Sequence, residues 1–229
     1  MSAMQRAPEA RPQSRTEASR NPRCPEVARA AKKRGITSIV HFTRLAGLVG
    51  ILDSSAVKSR RDLPTDLRVK HVYEANADRR LDQLWLDYVN LSVTHINMHM
   101  FRFSRREHPV EDYWVILNFS HEILGDPGVV FCTTNNIYPA AQRSRGLPGF
   151  EQLFAPKVAG RYGQQTERGT RPSNLTTDPQ AEVLYPFELP LTHLHTVTVP
   201  DDNAEYAVEA ALFHFSHTPK IELDPEAFR

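Results

Sequence analysis

Cysteine is nearly absent from this 229-residue chain: Cys24 and Cys132 are the two present. One falls in a Pro- and Arg-rich stretch and the other in an apolar run, which excludes a disulfide framework as the source of stability. No apolar run approaches the roughly 18 residues that a membrane helix needs. The N-terminus lacks the apolar middle of a secretory signal, so the expected setting is the cytoplasm, without membrane contact. Metal-ligand patterns are missing too. His95 and His99 lie four apart and His193 and His195 two apart, but no His-Glu-x-x-His pattern and no Cys or acidic cluster completes a site. Half-exposed histidines are the simpler account, and no metal is expected. Net charge is +1, which by itself says nothing about nucleic acid, and no internal repeat is visible.

What is present is enough for one core domain. Hydrophobic residues make up 40% of the chain. Charge is unevenly spread. Residues 1–34 hold nine Lys/Arg against three Glu, and residues 141–172 hold six against two. Residues 201–229 reverse the balance, with seven Asp/Glu against two Lys/Arg. Basic clusters of this kind suit phosphate contacts, or are simply solvated. Residues 1–34 are rich in Pro, Arg, Ser and Ala and read as a basic, disordered extension, with a helix possible over Pro25–Arg34. Residues 35–229 form the expected folded domain.

Within it, residues 38–42 read as a strand, with Thr43 as a helix cap and Leu45, Leu48, Val49 and Leu52 at helical spacing behind it. His41 then ends a strand just before a helix N-terminus, a place suited to ligand binding, or else it is a packed core histidine. Residues 58–80 read as a charged loop with a short helix. Val89, Leu91 and Val93 alternate as a strand, and residues 97–106 can form a helix. Tyr113–Phe119 is apolar on both faces and is expected to be central. Further strands are expected at 129–132, 193–199 and 220–223, and helical turns at 148–154 and 204–211. Six or seven short strands with helices not in β-α alternation make an α+β fold.

The most informative stretch is Thr176-Thr177-Asp178-Pro179-Gln180-Ala181-Glu182-Val183-Leu184-Tyr185. Asp178-Pro179 marks a turn, and Ala181, Val183 and Tyr185 then alternate as a strand. Glu182 is a carboxylate at the start of an apolar strand. On local sequence alone the simpler reading is an edge strand whose Glu182 faces water. The segment before it, residues 157–178, is long and Arg-rich, whereas an ordinary hairpin loop uses about 2–5 residues.

Taken in order, His41-Phe42-Thr43, Arg80-Leu81-Asp82, Leu91-Ser92-Val93, Trp114–Leu117, Phe131-Cys132-Thr133-Thr134-Asn135 and Thr177–Leu184 resemble the DarT family of DNA ADP-ribosyltransferase toxins. The resemblance implies the ADP-ribosyltransferase fold, two small packed antiparallel or mixed sheets with flanking helices and an NAD cleft between them. It implies NAD+ as substrate, with Glu182 and Arg80 catalytic and His41, Phe42, Thr43 and Ser92 binding NAD+. It places Gln180 where this superfamily chooses its acceptor, and a Gln-x-Glu pattern resembles enzymes that modify amides or guanine. Arg161, Arg168 and Arg171 would then hold strand phosphates and Tyr162 would stack on a base. The function implied is mono-ADP-ribosylation of guanine or thymine in single-stranded DNA, with guanine preferred by the Gln180 argument, by the toxin of a toxin–antitoxin or phage-defence system with a macrodomain antitoxin as partner. An RNA-directed transferase, a protein-directed one and a nucleic-acid-binding module without catalysis are the alternatives. The chain departs from the family pattern after His41-Phe42-Thr43, in a Lys/Arg-rich stretch, and at Thr94-His95-Ile96-Asn97, where relatives place Phe-Pro-Asn.

Overall fold

The structure, a computed structural model, describes residues 8–63, 82–108 and 113–229. In chain order the elements are α1 (Arg15–Arg20), α2 (Pro25–Lys33), β1 (Ser38–Arg44), α3 (Leu45–Ser54), β2 (Ala56–Lys58), β3 (Tyr88–Val93), α4 (Met98–Glu107) and β4 (Trp114–Ser120). There follow β5 (Val130–Cys132), β6 (Arg143–Ser144), α5 (Gly146–Gln152), β7 (Lys157–Ala159), β8 (Gln165–Glu167), β9 (Glu182–Pro186), β10 (Glu188–Pro190), β11 (Leu194–Val199), α6 (Asp202–Leu212) and β12 (Lys220–Leu223). The fold is α+β. More strands form than periodicity revealed, because β2, β6, β7, β8 and β10 have two or three residues each, too few to display an alternation.

Eight strands join in the order β12-β11-β4-β1-β3-β9-β5-β6, antiparallel throughout except for the parallel β11–β12 pair. The expected two sheets are therefore hydrogen-bonded into one, but through a narrow joint. β1 pairs with β4 along all seven of its residues. On its other edge it meets β3 through Ile39↔Val93 and Val40↔Ser92. The rest of β3 turns to β9, from Tyr88↔Pro186 to Leu91↔Val183. Past Val40 the two half-sheets diverge, and the wedge between β1 and β3 opens into a cleft of about 520 Å³.

Strand β9 is not an edge. It lies between β3 and β5, and all five of its residues are buried. Val183 and Tyr185 join the main core, and Leu184 packs on the opposite face with Trp85, Tyr88, Val130 and Cys132. Burial on both faces needs a second cover, and the N-terminal segment supplies it: Ala10 belongs to that second cluster.

The expectation of disorder is therefore overturned for residues 8–24, which pack on the domain, while the helix allowed over Pro25–Arg34 forms as α2. Pro25 opens α2 at its first turn, and Val27 and Ala31, one helical turn apart, are sealed into the main core. Its basic residues Arg29, Lys32 and Lys33 face outward, which is why composition concealed its packing into the core. Ser14 and Glu17 form a capping box on α1, whose Ala18 is buried. A second correction concerns Thr43. It stays in β1 opposite Val115, and Arg44 is the residue that precedes α3, without a side-chain cap. Thr43 still touches that helix: a Cβ on Gly47 would clash with its hydroxyl, so a larger residue there would force the Thr43 side chain to move.

Candidate active site

Glu182 is the first residue of β9, opposite Cys132 of β5. It is 7% exposed, so the reading of a water-facing carboxylate is corrected. Burying a carboxylate is costly unless donors surround it. Three do. The Asn136 backbone N–H donates to Oε2 at 2.8 Å, the Asn90 side-chain amide to Oε2 at 3.1 Å, and the Asn135 side-chain amide to Oε1 at 3.3 Å. Asn90 comes from β3 and the asparagine pair from the turn after β5, so the carboxylate is tied to both neighbouring strands. Sequence reasoning placed Asn135 in a matching segment and Asn90 on a strand but gave neither a role. The available signal was the run of polar residues Thr133–Asn136, all buried, following an apolar strand.

Glu182 opens into the cleft between β1 and β3, whose lining also includes His41, Phe42, Thr43, Asn90, Ser92 and Asn97. His41 leaves β1 where the ladder to β3 has ended. Its Nδ1 lies 3.0 Å from the Asn90 carbonyl oxygen, a hydrogen bond in which the imidazole donates and which fixes Nε2 as the acceptor. Burial lowers the His41 pKa below its ordinary value, partly offset by that carbonyl, so the ring is neutral. Phe42 packs against Phe101 of α4 and against Trp114, at 5.4 and 6.0 Å between ring centroids, and so builds an aromatic wall. Ser92 is buried at the joint of the half-sheets. Asn97 caps α4 through its Oδ1, while its buried Nδ2 has no partner among the described residues and lies on the cleft wall. A buried donor without a partner is costly unless a ligand accepts from it. A dinucleotide, with ring, hydroxyl and phosphate acceptors along its length, suits such a lining. Arg80, expected here, lies outside the described residues, as does neighbouring Arg79.

The segment before Glu182 is folded back on itself. Thr177 donates from its backbone N–H to the Leu153 carbonyl and from its hydroxyl to that of Ala155, at 2.8 and 2.7 Å. Asp178 Oδ1 accepts from the Gln180 N–H at 2.8 Å, a turn closed by the aspartate side chain. Gly160 allows the β7 end to approach, since a Cβ there would lie 2.9 Å from Asp178 Oδ2. Gln180 is half-buried, and its Oε1 accepts from the Tyr138 hydroxyl at 3.0 Å.

The basic residues of this segment divide into two kinds. Arg168 donates to the carbonyls of Leu175 and Pro172 at 2.9 and 2.8 Å and lies over the Phe154 ring, so it holds the loop together. Burial and the neighbouring Arg34 and Arg171 guanidiniums lower its pKa from the usual arginine value. Arg171 is half-buried with its Nε sealed from water. Arg161 and Tyr162 are the opposite. Tyr162 is 84% exposed, adopts a positive φ of 55°, and carries the Arg161 guanidinium 4.8 Å above its ring. Among the histidines, His95 is exposed ahead of α4, and His193 lies in a 3-10 turn rather than on β11. Among the described residues no group of three or more His, Cys, Asp or Glu is placed to hold a metal, and no helix is long and apolar enough to cross a membrane.

This architecture has counterparts. Thermus sp. 2.9 DarT in complex with NAD+ superposes with a TM-score of 0.60 at 17% identity, covering 84% of this chain and 98% of that one. The same protein in complex with ADP-ribosylated ssDNA gives 0.61 at 16% identity, over 85% and 97% of the two chains. Thermosipho africanus DarTG in complex with ADP-ribose gives 0.54 at 12% identity, covering 84% of this chain and 51% of that one. These likenesses establish a shared fold. No curated protein sequence matches the chain. The family model described as "ssDNA thymidine ADP-ribosyltransferase, DarT" matches residues 40–229, which takes in the cleft, the loop and Glu182. The chain belongs to the DarT family and is an NAD-dependent ADP-ribosyltransferase.

Proposed function

We propose that the chain transfers one ADP-ribose from NAD+ to a thymine base of single-stranded DNA, with Glu182 as the catalytic carboxylate. The observation that carries this reading is a buried carboxylate held by three N–H donors at the mouth of a cleft formed by diverging strands. Transfer breaks the bond from the ribose C1′ to the nicotinamide nitrogen. The electron pair leaves with nicotinamide, and C1′ acquires oxocarbenium character, as in glycoside hydrolysis. A fixed carboxylate offsets that charge and accepts a hydrogen bond from the ribose 2′-hydroxyl. A base nitrogen then bonds to C1′, and its proton passes to Glu182 or to water.

His41, Phe42, Thr43 and Ser92 are assigned to NAD+, with the bare Nε2 of His41 accepting from a hydroxyl or amide. Arg80 is assigned to the pyrophosphate or the reaction centre. Gln180 faces the acceptor. With its oxygen accepting from Tyr138, its N–H donors remain for a base carbonyl. Thymine and guanine both present one, so Gln180 suits either; the family description favours thymine. Arg161 and Tyr162 receive the neighbouring nucleotide and its phosphate, and Arg168 and Arg171 stiffen the loop beneath them and add positive charge. We assign a toxin's role in the cytoplasm, with a macrodomain antitoxin that removes the modification as the partner. The support is the family resemblance and the match to about half of a DarTG chain.

The test is incubation with labelled NAD+ and four oligomers, each carrying a single candidate base, beside RNA of the same design. The expected product is one ADP-ribose on the thymine oligomer and none with Glu182→Ala. Label on the guanine oligomer or on RNA alone would replace the acceptor, and an active Glu182→Ala would remove the carboxylate from the mechanism. Gln180→Ala is expected to redistribute label among the oligomers while NAD+ consumption without DNA is unchanged.

A further inference from the structure

Arg143 lies on β6, outside the cleft, yet its guanidinium is committed in one direction. Its Nε donates to Asn136 Oδ1 at 2.7 Å, its Nη2 donates to the Asn136 backbone carbonyl, and its Nη1 donates to the Ala141 carbonyl at 3.0 Å. The side chain is 12% exposed, and its countercharge is Glu9 of the N-terminal segment. Glu9 Oε1 lies 3.5 Å from Nη1, and Glu9 Oε2 accepts from the Arg143 backbone N–H at 3.4 Å. The Ala10 backbone N–H in turn donates to the Arg143 carbonyl. Asn136 is thus gripped at two oxygens by one arginine, and its own backbone N–H, at 2.8 Å, makes a shorter hydrogen bond to Glu182 than the side-chain amides of Asn90 and Asn135 do. The Asn136 Nδ2 is buried without a partner among the described residues, a cost of about 1–3 kcal/mol for a buried donor.

We propose that Arg143 is a positioning residue for the transfer reaction, that it aims the Asn136 backbone N–H at Glu182, and that Glu9, from a segment preceding the family match, completes the clamp. The proposal rests on the reading of Glu182 as the catalytic carboxylate. The fork geometry is what matters. A guanidinium reaches the side-chain and backbone oxygens of Asn136 together, whereas an ammonium is a single point of charge. It also gives the N-terminal segment a function. That segment covers the second face of β9 through Ala10 and secures the arginine through Glu9.

Full-length Arg143→Lys, Glu9→Gln, their double variant and Glu182→Ala would be compared for kcat and KM with NAD+ and a single-stranded oligomer, together with melting temperature. Arg143→Lys is expected to lower kcat about tenfold or more, the scale of a displaced transition-state donor. KM for NAD+ should stay within about twofold, since uniform binding is untouched. Glu9→Gln should lower kcat about threefold, and less than that in the Arg143→Lys background, because coupled residues are not additive. An Arg143→Lys protein with full kcat overturns the proposal, as does a kcat loss that merely tracks a fall in melting temperature. Should that variant not fold, Glu9→Gln decides, because Glu9 is exposed: an unchanged kcat overturns the proposal. If Glu182→Ala itself stays active, the reading of the carboxylate has failed, and the clamp with it. A silent Glu182→Ala beside a fully active Arg143→Lys defeats the clamp alone.

Discussion

Two regions of this molecule carry the polar chemistry, and they are built by opposite rules. Around Glu182 every described contact is internal: the carboxylate is nearly sealed from water and bonded to Asn90, Asn135 and Asn136, and Asn136 is fixed by Arg143. At the tip of the loop before it, Tyr162 and Arg161 stand in solvent and touch each other. The buried region has its electrostatic environment before any substrate arrives, which is the requirement for stabilising a charge that exists only in the transition state. The exposed tip keeps an aromatic face and a guanidinium accessible, which suits a strand that must be stacked upon and held by phosphate whatever its sequence. Between them sits Gln180, half-buried and half-committed through Tyr138.

The comparison is broken or sharpened first at Glu182. Glu182→Gln preserves shape and replaces the charge, and the expected loss of nicotinamide release in single-turnover assays is about 10²–10³-fold. Melting temperature should change by only a few degrees, because the asparagine donors can rearrange about an amide. A variant with near wild-type turnover would show that the sealed pocket is structural. The effect at the tip is smaller and of another kind. Arg161→Ala with Tyr162→Ala should weaken oligomer binding by about 1–3 kcal/mol, the worth of one stacked base. The salt dependence of that binding should flatten by about one unit of slope for the lost phosphate contact. NAD+ hydrolysis without DNA should be unaffected. If the double variant instead loses hydrolysis, the tip belongs to the NAD+ cleft, and the division between the two regions collapses.

How far the sequence disclosed these regions follows from the range of each interaction. The elements that carry an alternation or a helical repeat over five or more residues, β1, β3, β4, β9, β11, α3, α4 and α6, were legible because periodicity is local. Glu182, His41 and Phe42 stood out through motif order, and the structure brings all three to one cleft. The burial of Glu182 was not legible. It depends on β5 and on Ala10 closing over β9, contacts from residues more than 40 positions away. Arg143 was invisible for the same reason: in the sequence it is one of six basic residues in a stretch that reads as solvated, and only the fold turns it inward. Thr43 misled because a hydroxyl before a helical repeat is a capping signal, yet seven ladder pairs with β4 kept it in the strand.

The smallest expected effect tests the neutral state of His41. Burial depresses its pKa from 6.5, so in the folded chain it stays neutral where the unfolded chain already takes up a proton. The unfolded state then binds more protons, and stability must fall as pH is lowered through about 6.5, with its full value present above that pH. The slope for one such group is at most about 1.4 kcal/mol per pH unit. His195 is depressed in the same direction by its own burial and adds to the same slope. Melting curves between about pH 5 and pH 8 should therefore be less steep in pH for His41→Gln than for the wild type, with part of the slope left from His195. NAD+ affinity of the wild type should hold as pH falls through 6.5 and decline only below the depressed folded-state pKa, where protonation converts the Nε2 acceptor facing the cleft into a donor. Equal pH slopes for the two proteins would mean that His41 is solvated enough to titrate normally, and the Asn90 hydrogen bond would then not be what orients it.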